Sequence, residues 1–314
     1  MVLHELGEGR LLIDLDFQDT PDVIGSYLIP EKEGWAVVET GPTTVHKAFM
    51  EGLAEAGIAP VEVKDVFVTH IHLDHAGGSG ALAESLPNAT FHVHKIGLPH
   101  MVDPTRLIAS SKKAWGDELA RSLWGEVVPL PAARVHGLEG GERFPMDRGS
   151  FLEVLTTPGH ASHHVSFYDS ALKGIMVGDA AGVLLPGATH NRPGLPPPDL
   201  DIEAYFRSLE TLRGWTPEKL MFSHFGPFDR AMERLTEAAE SAQWWVDVAL
   251  ETARREPTVE AITKAIAEAD EKRSLKEGER YAILSKKHEL VSGCKMAAQG
   301  LLRYFTKKGL VQPK

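Results

Sequence analysis

The sequence predicts an α/β protein in which two β-sheets pack together with helices outside, followed by a C-terminal helical extension. Three observations lead there. Short apolar runs bounded by Asp, Pro and Gly alternate with helical patterns. The alternation falls into two similar halves rather than one long βαβ series. After Arg230 the pattern is almost wholly helical. With 314 residues and roughly 150 per domain, the chain suits one large domain over 1–255 and an extension over 256–314.

The first forty residues read as strands at Leu11–Phe17, Val23–Ile29 and Trp35–Glu39, separated by turn residues and suited to antiparallel pairing. Thr44–Ala56 reads as a helix stopped by Gly57, and Lys64–Thr69 as a strand that runs straight into His70. After Gly77, Gly78 and Gly80 a short helix through Ser85 leads to a strand at Thr90–His94. Residues 96–130 mix Pro99 and Pro104 with one helical stretch, Arg106–Trp124, and read as an insertion able to act as a lid. Strands are expected again at Phe151–Thr157, Val165–Tyr168 and Gly174–Val177, then a helix at Asp201–Arg213 and a strand at Leu220–Ser223. The helical remainder is broken at Glu256-Pro257 and at Gly278.

Composition bounds the function. Apolar residues make up 43% and charged residues 25%, a globular balance that excludes wholesale disorder and low-complexity chains. Thirty-three basic against 44 acidic residues give a formal charge of −11, which argues against long nucleic acids or an anionic membrane surface as partner. The single cysteine, Cys294, rules out an intrachain disulfide and fits a reducing compartment. No stretch has the length of a membrane span, and Met1–Arg10 has no apolar core of signal type, so a cytoplasmic location is expected. Fifteen histidines stand beside that one cysteine. Metal chemistry here must therefore use imidazole and carboxylate.

Those histidines cluster in Thr69-His70-Ile71-His72-Leu73-Asp74-His75-Ala76-Gly77-Gly78, at the end of a predicted strand. In extended chain, residues two apart point the same way, so His70 and His72 can face one ion. A turn after Leu73 swings Asp74 and His75 toward a second position.

This motif resembles that of the metallo-β-lactamase superfamily of hydrolases, and the resemblance supplies the remaining ligands. A Thr-Pro-Gly-His turn stands at Thr157-Pro158-Gly159-His160. A Gly-Asp pair after an apolar strand stands at Gly178-Asp179, and a late histidine at Ser223-His224-Phe225-Gly226. The resemblance covers roughly residues 10–230 and implies an αββα sandwich of two mixed sheets. It further implies two divalent metal ions, with Zn²⁺ preferred and Fe or Mn acceptable. His70, His72 and His160 would make a three-imidazole site suited to Zn²⁺, and Asp74, His75 and His224 a harder one, with Asp179 bridging the two. Asp74 and Asp179 are the carboxylates assigned to catalysis. The implied reaction is attack by a metal-bridging hydroxide on a small carbonyl ester, thioester or lactone. The Asp-bridged set looks like glyoxalase II and the metal-dependent lactonases. RNase Z-like phosphodiesterases and iron-dependent sulfur dioxygenases use similar sets and are the alternatives. His164, four residues after His160, falls where glyoxalase II carries a further histidine, and is given a supporting role.

Other features have plainer readings. His92 and His94 repeat the two-residue spacing but lack a third ligand nearby and read as polar strand residues. His163 and His190 read as ordinary loop histidines. The apolar stripe Ala298, Leu301, Leu302 and Phe305 reads as a helix packed on the core or at a homodimer interface, rather than as a nucleic-acid-binding module. The expected partner is a small-molecule substrate, with no membrane.

Overall fold

A computed structural model of the chain describes residues 3–312. Two β-sheets flanked by helices form the architecture, with a helical C-terminal region, as expected. The chain divides into two spatially compact units. One runs up to Thr156 and takes in His163–Met176; the other holds Thr157–Ser162 and the described residues from Val177 onward.

In the first unit, seven strands lie in sequential order: β1 (Leu3–Gly7), β2 (Arg10–Asp14), β3 (Gly25–Glu31), β4 (Gly34–Val38), β5 (Val63–Phe67), β6 (Thr90–His94) and β7 (Val135–Leu138). Pairing is antiparallel from β1 to β4 and parallel from β4 to β7, so the sheet is mixed. The switch follows from the connections. Turns join the early strands, whereas α1 (His46–Glu55) carries the chain from β4 to β5 as a crossover. After β5 come α2 (Leu73–Ala76) and α3 (Ser79–Ser85). The 96–130 insertion is helical: α4 (Leu98–Val102), α5 (Thr105–Trp115) and α6 (Asp117–Trp124). The single helix expected over Arg106–Trp124 is two, because Gly116 takes φ +82° and ends the first.

The second sheet has the order β13-β12-β11-β10-β9-β8, from β8 (Arg143–Pro145), β9 (Phe151–Thr156), β10 (Val165–Asp169), β11 (Gly174–Gly178), β12 (Lys219–Phe222) and β13 (Gly226–Asp229). Within the first unit its strands face the first sheet across an aromatic core. Phe67 on β5 meets Phe144 edge-on at 4.8 Å and Phe167 at 5.4 Å, and stacks on His92 at 4.5 Å. A buried bidentate ion pair from Arg10 on β2 to Asp169 on β10 (2.9 and 3.3 Å) ties the same faces together.

The second unit contributes α7 (Ile202–Gly214), α8 (Ala231–Arg255), α9 (Val259–Ser274), α10 (Tyr281–Val291) and α11 (Cys294–Lys307). Asp201 caps α7 by accepting from the Ala204 amide at 2.9 Å, and Thr258 caps α9 by accepting from the Ala261 amide at 3.2 Å. α8 buries Leu235, Ala238, Ala242, Trp245, Ala249 and Ala253, one stripe at helical spacing. Along α11, Ala298, Leu301 and Phe305 are buried as the apolar stripe requires, against α8 and α9.

Candidate metal centre

The histidine motif begins where β5 ends. β5 lies between two parallel neighbours, and ligands of open α/β sheets collect beyond the carboxyl ends of such strands. His70 sits there, fully buried. Its Nε2 comes within 2.9 Å of Nδ1 of His72, so two ring nitrogens converge on one point. α2 starts at Leu73 and turns the next two motif residues away. Asp74 Oδ2 and His75 Nε2 stand 3.7 Å apart, with His75 buried and Asp74 partly exposed. The two pairs adjoin, with the His75 ring 4.1 Å from that of His70.

Two of these rings are held from behind. Nδ1 of His75 lies 3.0 Å from Oε1 of Glu39, which is itself wholly buried at the end of β4. Glu39 also accepts from the Thr69 hydroxyl at 2.5 Å and the Thr69 amide at 3.3 Å. With the hydroxyl proton of Thr69 committed to Glu39, the 3.0 Å contact between Thr69 Oγ1 and His70 Nδ1 needs the ring to donate. Both histidines then carry their proton on Nδ1, which leaves the lone pair of the neutral ring on Nε2.

The second unit holds the other three residues. Thr157-Pro158-Gly159 leads out of β9 into His160. Gly159 has φ +139°, and a Cβ there would lie 2.3 Å from the Tyr205 backbone, so only glycine lets the turn approach α7. Asp179 follows β11 and His224 follows β12. One carboxylate oxygen of Asp179 is 3.3 Å from His160 Nε2 and the other 3.6 Å from His224 Nε2. A single carboxylate thus stands between two imidazoles. Nδ1 of His160 lies 3.0 Å from the Gly194 carbonyl oxygen, which can only accept, so this ring too has its proton on Nδ1. Burial, reinforced by the charge of Asp179, raises the Tyr205 phenol well above its ordinary range and keeps it neutral.

His164 is buried with its ring 4.9 Å from that of His70. His163, read as a plain loop residue, instead packs on the motif. Its ring lies 5.9 Å from that of His72, and its Nδ1 is 3.5 Å from the Ile71 amide. His92 belongs to the core between Phe67 and Phe144 and pairs with Asp65 at 2.5 Å. Sequence reasoning missed Glu39, Thr69 and Gly194. The available signal for Glu39 was an acid ending an otherwise apolar strand just before Thr40-Gly41.

Histidine and aspartate groups able to hold a metal ion are present among the described residues. No helix among those residues is long and apolar enough to cross a membrane. The two-sheet fold and the imidazole–carboxylate donor set define a class of α/β metal-binding proteins. The model of the metallo-β-lactamase superfamily matches residues 19–224, and the chain belongs to that superfamily, whose members are metal-dependent hydrolases. It is 29% identical over 168 residues to the metallo-beta-lactamase fold-containing protein ST1585 of Sulfurisphaera tokodaii, covering 51% of this chain. The match spans only 60% of that relative's length. It is 24% identical over 237 residues to the uncharacterized protein YobT of Bacillus subtilis, covering 70% of this chain and 91% of YobT. Among solved structures, the metallo-beta-lactamase family protein TTHA1429 of Thermus thermophilus superposes with a TM-score of 0.70 at 23% identity, covering 97% of this chain and 95% of its own. A beta-lactamase domain protein from Burkholderia ambifaria does so with 0.68 at 18%, covering 98% and 90%. At these identities the structural likeness concerns the fold.

Proposed function

We propose that the protein is a dinuclear metal-dependent hydrolase acting on a small carbonyl ester, thioester or lactone. The motif resemblance assigns His70, His72 and His160 to one ion, Asp74, His75 and His224 to the other and Asp179 to the bridging position, and the described histidine and aspartate groups could hold a metal ion. One observation carries the reading: His70, His75 and His160 each have Nδ1 turned to a neighbour that makes it the donor, which reserves Nε2 for ligation. All-nitrogen donors at one position and mixed nitrogen and oxygen at the other fit Zn²⁺, with Fe or Mn accommodated at the second. Two such ions would lower the pKa of a shared water toward neutrality and polarise a carbonyl oxygen.

The chain's own residues do the rest. Glu39 and Thr69 hold the rings of His75 and His70 in one tautomer. Asp179 aligns His160 and His224 about one carboxylate. Asp74, Asp179 and Glu39 formally carry three negative charges, which two divalent ions and one hydroxide would bring to zero, so the site itself would not repel a small anionic substrate despite the −11 of the whole chain. That overall charge disfavours long nucleic acids. We assign catalysis to residues 1–255 in the cytoplasm, supported by the helical extension from 256.

The test is a panel of aryl esters, thioesters, lactones and bis-p-nitrophenyl phosphate, with wild type and Asp179→Ala. Ester, thioester or lactone turnover lost in the folded variant supports the reading. Faster turnover of the phosphodiester would shift it to phosphodiesterase chemistry, and oxygen uptake on a persulfide with a single iron would shift it to a dioxygenase. Full activity of Asp179→Ala would remove the assigned site.

A further inference from the structure

The segment between Asp179 and α7 is gripped by the C-terminal helices along much of its length. The Thr189 amide donates to Glu277 at 2.9 Å. His190 Nε2 meets Asp270 on α9 at 3.0 Å. Arg192 reaches the same carboxylate through Nε at 3.0 Å and Nη2 at 2.7 Å, and Glu289 on α10 through Nη1 at 2.9 Å. Ser292 Oγ donates to the Pro193 carbonyl at 3.1 Å. At Gly300, α11 runs so close that a Cβ would stand 2.1 Å from the Leu195 carbonyl oxygen. Asp270 is 1% exposed. Burial alone would raise its carboxyl, but the hydrogen bond with His190 and the charge of Arg192 overcome this and hold it below the ordinary range.

Gly194 lies in the middle of this gripped segment, and its carbonyl is what faces Nδ1 of His160. A Cβ at Gly194 would lie 2.8 Å from that nitrogen, so the backbone and the ring are in close contact. An imidazole that loses its acceptor at Nδ1 is at liberty to move its proton to Nε2, and a protonated nitrogen cannot bind a metal. Displacing the carbonyl by about an ångström from its present 3.0 Å is enough, because a contact of about 3.6 Å or more is no longer a hydrogen bond.

We infer that α9, α10 and α11 position the His160 imidazole through residues 189–196, with Asp270 as the anchoring carboxylate and Gly300 as the point of closest packing. The helical extension is then part of the ligand support, and Asp270 is a positioning residue. This rests on the reading of His160 as a metal ligand.

The experiment compares wild type with Gly300→Ala, Asp270→Asn and Ser292→Ala. In metal-free protein, ¹⁵N NMR of the His160 ring should show Nδ1 fully protonated in wild type, whatever the Asp179 carboxylate 3.3 Å away does at Nε2, and only partly protonated in Gly300→Ala and Asp270→Asn, with a smaller change in Ser292→Ala. Zinc affinity by chelator competition should fall about 10–100-fold in the first two variants, the range for lost partners of metal-bound histidines. Lower urea midpoints with an unchanged tautomer and unchanged affinity would mean that the helices only stabilise the fold, and would overturn the inference. Should Asp270→Asn fail to fold, Gly300→Ala and Ser292→Ala decide it. Should wild type bind no zinc, the hydrolase reading fails, while the tautomer comparison still tests the positioning.

Discussion

Replacing His288 with leucine should flatten the acid side of the stability profile. His288 is 2% exposed on α10, facing Arg192, Asp270 and His190. Burial, followed by the charge of Arg192, pushes its imidazole down from 6.5 to about 3. Above pH 6.5 the ring is neutral in folded and unfolded chains alike and contributes no pH dependence. As pH falls below 6.5 the unfolded chain takes up a proton that the folded chain refuses, so stability is lost progressively down to about pH 3. Each pH unit in that window costs about 1.4 kcal/mol, so moving from pH 7.5 to 5.5 costs about 1.4 kcal/mol through this residue alone. Leucine fills similar space without a titratable group and removes a buried ring nitrogen that has no hydrogen-bond partner. Urea unfolding of both proteins at pH 7.5 and 5.5 gives a double difference in which other histidines cancel. Wild type should lose about 1.4 kcal/mol more than His288→Leu; equal losses, or a larger loss in the variant, would refute the argument.

Two further substitutions probe the site and the fold separately. Glu39→Gln takes the charge from the group that faces His75 and Thr69, and should weaken zinc binding about 10–100-fold in chelator competition; unchanged affinity would show that Glu39 does not orient these rings. Arg10→Met leaves Asp169 buried without its bidentate partner and should cost about 3–5 kcal/mol in urea unfolding, whereas a loss below about 1 kcal/mol would mean that the pair is a minor tie between the sheets.

What the sequence made legible depended on how local each signal is. The strand at Thr90–His94 was expected and found with the same bounds, because apolar residues and flanking turn residues mark it directly. β1, β7, β8 and β13 were missed. Val135–Leu138 buries only Leu138, and Arg143–Pro145 is a three-residue edge with a proline, so neither shows the alternation of a half-buried strand. The split at Gly116 went unread because a glycine within a helical pattern is usually tolerated, and only its positive φ ends the helix. Residues of the His-x-His-x-Asp-His motif were readable because strand geometry and one short turn place them together. Their supports were not, since Glu39 reaches Thr69 and His75 across 30 and 36 residues, and Gly194 reaches His160 across 34. His190 looked like a loop residue because its partner, Asp270, lies 80 residues further on. Contacts of that range are set by packing, which periodicity does not encode.

The most direct test of the account is the metal content of protein purified without added metal, measured by inductively coupled plasma mass spectrometry alongside hydrolysis before and after chelation. Close to two transition-metal ions per chain, with activity lost on chelation and restored by Zn²⁺, is the predicted result. Protein with only trace metal and hydrolysis untouched by the chelator would contradict it.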